Sequence, residues 1–171
     1  MSGESEVVST QSEPWMRGTH EELDPLRRAV IHALEQAEED VARWAAELSE
    51  EQMFARPHGL PHVAFQLRHM ARSLDRLLTY AEDRALDEAQ LAALRTEMDA
   101  GAAAEVLAET YAGLQRAMER VAACDPASYE ASRWIGRKRL PTTLAGLLIH
   151  CAEHTQRHVG QMVTTVKVVL S

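Results

Sequence analysis

Aromatic side chains are scarce in this chain: three tryptophans, three tyrosines and two phenylalanines among 171 residues. Positive charge is short too, with 18 lysines and arginines against 26 aspartates and glutamates, a net charge of −8. That balance, with no basic stripe, argues against a nucleic-acid partner, whose binding rests largely on neutralised phosphates. It disfavours an anionic membrane surface for the same reason. Long hydrophobic runs are missing. The longest, around Leu144–Ile149, falls far short of the roughly 20 apolar residues that cross a bilayer. Cysteine is rare, and Cys151 lies inside a helical stretch among apolar residues. No structural disulfide is expected with Cys124, and the cytoplasm is the expected compartment. The opening residues, Met1-Ser-Gly-Glu-Ser-Glu6, carry neither the basic nor the apolar region of a secretory signal.

What the chain does have is helical periodicity over a length that suits one domain. Residues 1–18 are polar and aperiodic and read as a mobile tail, with Trp15 pinning its end to the body. Thr19 and Glu22 form a capping-box pattern, and Pro25 suits a first helical turn. The stripe Leu26, Val30, Ala33, Ala37, Val41, Trp44, Leu48 then carries a first long helix to about residue 48. Ser49–Leu60, with Pro57 and Gly59, reads as a loop. Pro61 opens a second long helix that ends near Tyr80, and a short helix is expected at Glu88–Arg95. A third long helix spans about Ala102–Ala123, followed by a long connection through 125–141. Thr142 or Thr143 caps a fourth helix that runs to about Val169. Four amphipathic helices over residues 19–171 predict an all-α four-helix bundle in a single domain.

The chemistry lies in the last helix, where His150, His154 and His158 recur every four residues. At about 100° per residue they project from one side, and imidazole is the commonest protein ligand for transition metals. Across two turns the three rise about 12 Å, too far for all to reach one ion at about 2.1 Å. One i, i+4 pair plus a histidine from another helix is the expected arrangement. His154 and His158 fall in the inward stripe with Leu147 and Cys151 and form the preferred pair, with core or surface histidines as the alternative reading. Candidates for the third ligand include His62 and His69, on one face of the second helix beside Gln66, Ser73, Arg76 and Tyr80. The string His150-Cys-Ala-Glu153-His154 also matches an inverted zinc-protease motif, but Glu153 points elsewhere and is expected to pair with Arg157.

Two segments, Phe65-Gln-Leu-Arg-His69-Met-Ala-Arg-Ser73-Leu-Asp75-Arg-Leu77 and Glu153-His154-Thr-Gln-Arg-His158-Val-Gly160-Gln161, resemble the signature stretches of the DinB/YfiT-like superfamily. The resemblance extends weakly over the first helix and so covers most of the chain. It implies a four-helix bundle, often a homodimer, in which His69, His154 and His158 hold a divalent metal, zinc or nickel by preference. His150, Ser73, Gln161 and His62 would line the cleft or support the ligands, and Gly160 would allow close helix approach. Some relatives are thiol-dependent S-transferases or isomerases, so a small electrophile is the implied substrate and a low-molecular-weight thiol the implied co-substrate. A metal-dependent hydrolase, or a metal- or ligand-binding stress-response bundle without turnover, is the alternative. The chain departs from relatives that end in a His-His-Arg-Gly-Gln style motif: here Arg157 precedes His158 and Val159 follows it. Arg137, Lys138 and Arg139, the one basic run, are either solvated or a clamp for the thiol's carboxylates.

Overall fold

The computed structural model describes residues 12–171. In chain order the helices and strands are α1 (Pro25–Trp44), α2 (Glu50–Phe54), α3 (Val63–Ala81), α4 (Glu88–Arg95), α5 (Ala103–Ala122), β1 (Ser132–Ile135), β2 (Leu140–Thr143) and α6 (Leu144–Val169). The four long helices, α1, α3, α5 and α6, form the bundle. α1 packs on α5 and α6, and α3 packs on the same two, so α1 and α3 lie on one diagonal. Side-chain bonds give the directions. The Gln156 amide donates to the Ala33 carbonyl and Lys167 lies over the Trp44 ring, so α1 and α6 run parallel. Arg72 binds Glu109, and Arg120 reaches Thr79, which makes α3 and α5 parallel neighbours. Such a pair needs a return crossing, and residues 82–102, with α4, provide it. α3 and α6 are antiparallel: Gln66 meets His158, and His69 meets His154.

α1 begins later than the Thr19–Glu22 pattern predicts. Its N-cap is Asp24, whose carboxylate accepts from the Leu26 and Arg27 amides, with Pro25 at the first helical position. Burial pushes this carboxyl up, but hydrogen bonds from Tyr129 and Arg27 outweigh it and hold the pKa at about 2. α1 stops at Trp44, short of Leu48, and the stretch read as a loop contains α2. Its start is written in the sequence: Ser49 and Gln52 form a capping box that frees the turn to bury Met53 completely. Thr143 caps α6 by accepting from the Gly146 amide. The 125–141 connection, expected to be irregular, holds the antiparallel β1–β2 hairpin, with Gly136 and Arg139 at positive φ in its turn.

Residues 1–11 of the segment read as a tail lie outside the described residues. Just after them, Pro14 is buried and Arg17 pairs with Glu39 of α1, whereas Trp15 is 65% exposed. The pin is therefore Pro14, not the indole. The core is aliphatic, centred on Leu34, Leu67, Met70, Leu74, Leu114, Leu148 and Met162. α3 and α5 approach closely at Gly113, where an added Cβ would sit 2.7 Å from the Ala71 Cβ. Gly160, expected to allow such an approach, meets nothing within 4 Å among the described residues.

Candidate metal centre

The inward face of α6 is Leu148, Cys151, Thr155, Val159, Met162 and Val166, all buried. His154 and His158 are half-buried on the flank of that face, turned toward α3, rather than in its centre as the projection from sequence has it. The flank suits them: an imidazole there reaches across a helix interface without a polar ring being buried in the aliphatic core. α3 brings Gln66, His69 and Ser73 to the same interface, and the antiparallel packing sets His69 against His154 and Gln66 against His158.

The three rings converge. Nε2 of His69 and Nε2 of His154 lie 3.3 Å apart, and the ring centroids are separated by 5.0 Å (His69–His154), 4.5 Å (His69–His158) and 4.5 Å (His154–His158). One ligand nitrogen from each lies within 4.8 Å of the others. Two donors on a tetrahedral ion with bonds of about 2.0–2.1 Å are about 3.3–3.4 Å apart, so the His69–His154 spacing fits a bound ion without rebuilding.

Two further residues engage the far nitrogen of two of the rings. Glu97, from the segment after α4, is 5% exposed, and its Oε2 lies 2.7 Å from His69 Nδ1. Burial raises its carboxyl pKa, but hydrogen bonds from His69 and Arg76 win and keep it low. An ionised carboxylate only accepts, so His69 donates to it through Nδ1, and Nε2 is the ring nitrogen that faces His154. Gln66 acts likewise on His158: its Oε1 accepts from Nδ1 at 2.6 Å. Imidazole ligands are commonly held this way, with the far nitrogen donating to a carboxylate or carbonyl. The pKa values of His154 and His158 are pushed down to about 4, first by burial, with lesser repulsion from the neighbouring imidazoles and Arg157. Both are therefore neutral at pH 7, the form that binds metal.

Of the supporting residues expected from sequence, Ser73 and His150 stand at the site. Ser73 Oγ is 3.3 Å from His69 Nε2 and accepts from Arg76 at 3.1 Å. His150 stacks edge-on to His154 at 5.5 Å and pairs at 3.7 Å with Glu153, which the sequence reading assigned to Arg157. His62 is placed elsewhere: it caps α3, accepting from the Phe65 amide through Nδ1, with Nε2 on the Met98 carbonyl. Gln161 lines a separate hollow of about 370 Å³ with Gln66, Arg157 and Gly160. Arg137, Lys138 and Arg139 occupy the exposed hairpin turn. Gln66 and Glu97 were not proposed as ligand supports from sequence. Gln66 at least stood on the polar strip of the second helix; Glu97 is one acid in a charged stretch and gives no signal of its own.

Beside the imidazoles opens a hollow of about 300 Å³, with Leu77, Tyr80, Leu86, Leu94 and Ile135 as an apolar wall. Both cysteines are unpaired, and burial lifts the Cys151 thiol to about 12, so it offers no thiolate at neutral pH. No described helix is long and apolar enough to cross a membrane. Together these features define a helical bundle whose three facing imidazoles suit a divalent metal. The family model of the DinB superfamily matches residues 33–162, and the chain belongs to that superfamily. No curated protein and no solved structure shows significant similarity to it.

Proposed function

We propose that the protein is a cytoplasmic, divalent-metal-dependent enzyme that joins a small thiol to a small electrophile. The observation that carries this reading is the convergence of His69, His154 and His158 beside an apolar hollow, with two of the rings oriented by Glu97 and Gln66. A divalent ion held by His69, His154 and His158 would lower the pKa of a thiol or water bound to it. The chain's own residues do the rest. The wall of Leu77, Leu86, Leu94 and Ile135 takes the carbon skeleton of the electrophile and excludes water. Ser73, fixed by Arg76, offers a hydroxyl beside His69. His150 lies at the same hollow and is the proton carrier within reach. Among the described residues no carboxylate lines this hollow, which favours thiol transfer over hydrolysis assisted by an acidic base.

The test is metal content by mass spectrometry on untagged protein, followed by turnover of a thiol with an aryl or alkyl halide. His69→Ala and His154→Ala should each lose one equivalent of metal, and the loaded wild type should exceed its metal-free form at least tenfold in rate. Folded wild type that takes up no metal from zinc, nickel or manganese would refute the reading. Loaded protein without turnover would leave a metal-binding bundle.

A further inference from the structure

A second cluster of ligating side chains lies on the α1 side of the bundle and shares no residue with the first. His32 and Glu35 are one turn apart on α1 and project from one face. His20, in the segment that leads into α1, turns back onto them through a backbone at φ +59°, a conformation uncommon outside glycine. His20 Nε2 lies 2.7 Å from Glu35 Oε1, and the two imidazole centroids are 5.6 Å apart. One ligand atom from each of His20, His32 and Glu35 lies within 4.8 Å of the other two. We infer that these three residues form a second transition-metal site, built by folding the segment before α1 onto that helix.

An ion pair between His20 and Glu35 would account for those two residues only. It leaves unexplained why His32, 7% exposed, sits against them with its ring fixed by the Thr19 hydroxyl at 3.0 Å. The adjoining hollow, about 340 Å³, adds an independent sign. Glu22, Glu35, Glu38 and Glu119 line it, and no lysine or arginine does among the described residues. Arg17, whose charge interacts with Glu35, is already held by Glu39. Four carboxylates around one hollow, with no lysine or arginine lining it among the described residues, favour the entry of a cation. The ligand types then select it. Two imidazoles and one carboxylate suit zinc, nickel or copper, whereas calcium and magnesium require oxygen donors throughout. Bound metal would clip the segment around His20 to α1, so the role is anchoring and not catalysis.

The experiment uses the full chain carrying His69→Ala and His154→Ala, which removes the first site. Zinc and nickel are titrated calorimetrically, stoichiometry is counted by mass spectrometry after dialysis, and circular dichroism checks the fold. One equivalent should remain. Adding Glu35→Gln, or separately His20→Asn, which tolerates the left-handed backbone, should weaken that equivalent at least tenfold. Cobalt(II) should give a visible spectrum that either change abolishes. A folded double variant that binds no metal overturns the inference. So does an equivalent whose affinity neither Glu35→Gln nor His20→Asn alters. Neither result bears on the first site, which is absent from the protein tested.

Discussion

Glu97 acts on His69 from 28 residues away, and no local pattern in the chain links the two. The two α6 histidines are different: their i, i+4 spacing is visible in the sequence, although both stand on the flank of the inward face and not in its centre. His69 came from the family resemblance, because a single histidine on a polar helix strip is indistinguishable from a solvated one. Gln66 and Glu97 were illegible as ligand supports, since each becomes informative only when the packing of α3 on α6, or of the 96–102 segment on α3, is known. The low pKa of His154 and His158 gives a residue-scale prediction for the metal-free protein. Unfolded, these imidazoles take protons near 6.5; folded, near 4. The native state thus binds fewer protons between those values, and stability falls as pH drops from about 6.5 to about 4. Urea midpoints measured across that window should decline in metal-free wild type and decline less in His154→Asn/His158→Asn. Equal slopes would show that these two rings carry no such penalty.

At the scale of elements, periodicity located all four long helices, because each buries a stripe whose spacing the sequence displays. The short α4, expected at Glu88–Arg95, is present but buries no residue. What escaped were local features governed by other rules. α2 lies in a stretch where Pro57 and Gly59 signal a loop, and the one local sign of it is the Ser49–Gln52 capping box. The hairpin is not legible because its strands are four residues each and their residue types, Ser-Arg-Trp-Ile and Leu-Pro-Thr-Thr, do not alternate apolar with polar, although β1 alternates in burial. Gly160 and Gly113 were not separable from sequence, both being glycines within helices, and the structure gives them opposite predictions. A methyl at Gly113 meets the Ala71 Cβ at 2.7 Å and its Cα at 3.2 Å, so the α3–α5 pair must spread. Gly113→Ala should cost about 1–3 kcal/mol, the usual penalty of overpacking. At Gly160 the methyl meets open space, and Gly160→Ala should stabilise by about 0.5–1 kcal/mol through helix propensity. Denaturant unfolding of the two variants decides it, and the same sign for both would contradict the packing described.

For the molecule as a whole, the three-imidazole site is a cross-link between elements that the chain joins only distantly. His69 belongs to α3, His154 and His158 to α6, and Glu97 ties the crossing between α3 and α5 to the same cluster. Metal bound there stabilises the arrangement of all of them, because the unfolded chain cannot present the site. At zinc concentrations of 100 times Kd the gain is about 2.7 kcal/mol, which for a chain of this size is a Tm rise of about 5–10 °C. To isolate this site, the measurement is made on His20→Asn protein, with His154→Ala added as the control that should show no rise. Glu97→Gln is the informative variant. It keeps the side-chain shape and a hydrogen-bond acceptor for His69 Nδ1, but removes the negative charge that faces His69 and is held in turn by Arg76 at 3.0 Å. Loss of such an outer partner typically weakens metal binding 10–100-fold, which at the same zinc concentration leaves about 0.4–1.4 kcal/mol of the gain. The Tm rise should therefore shrink to about 1–5 °C, and return toward the original value as zinc is raised 10–100-fold. A rise equal to the parent's at every zinc concentration would mean that Glu97 serves only to hold Arg76 and the crossing segment in place.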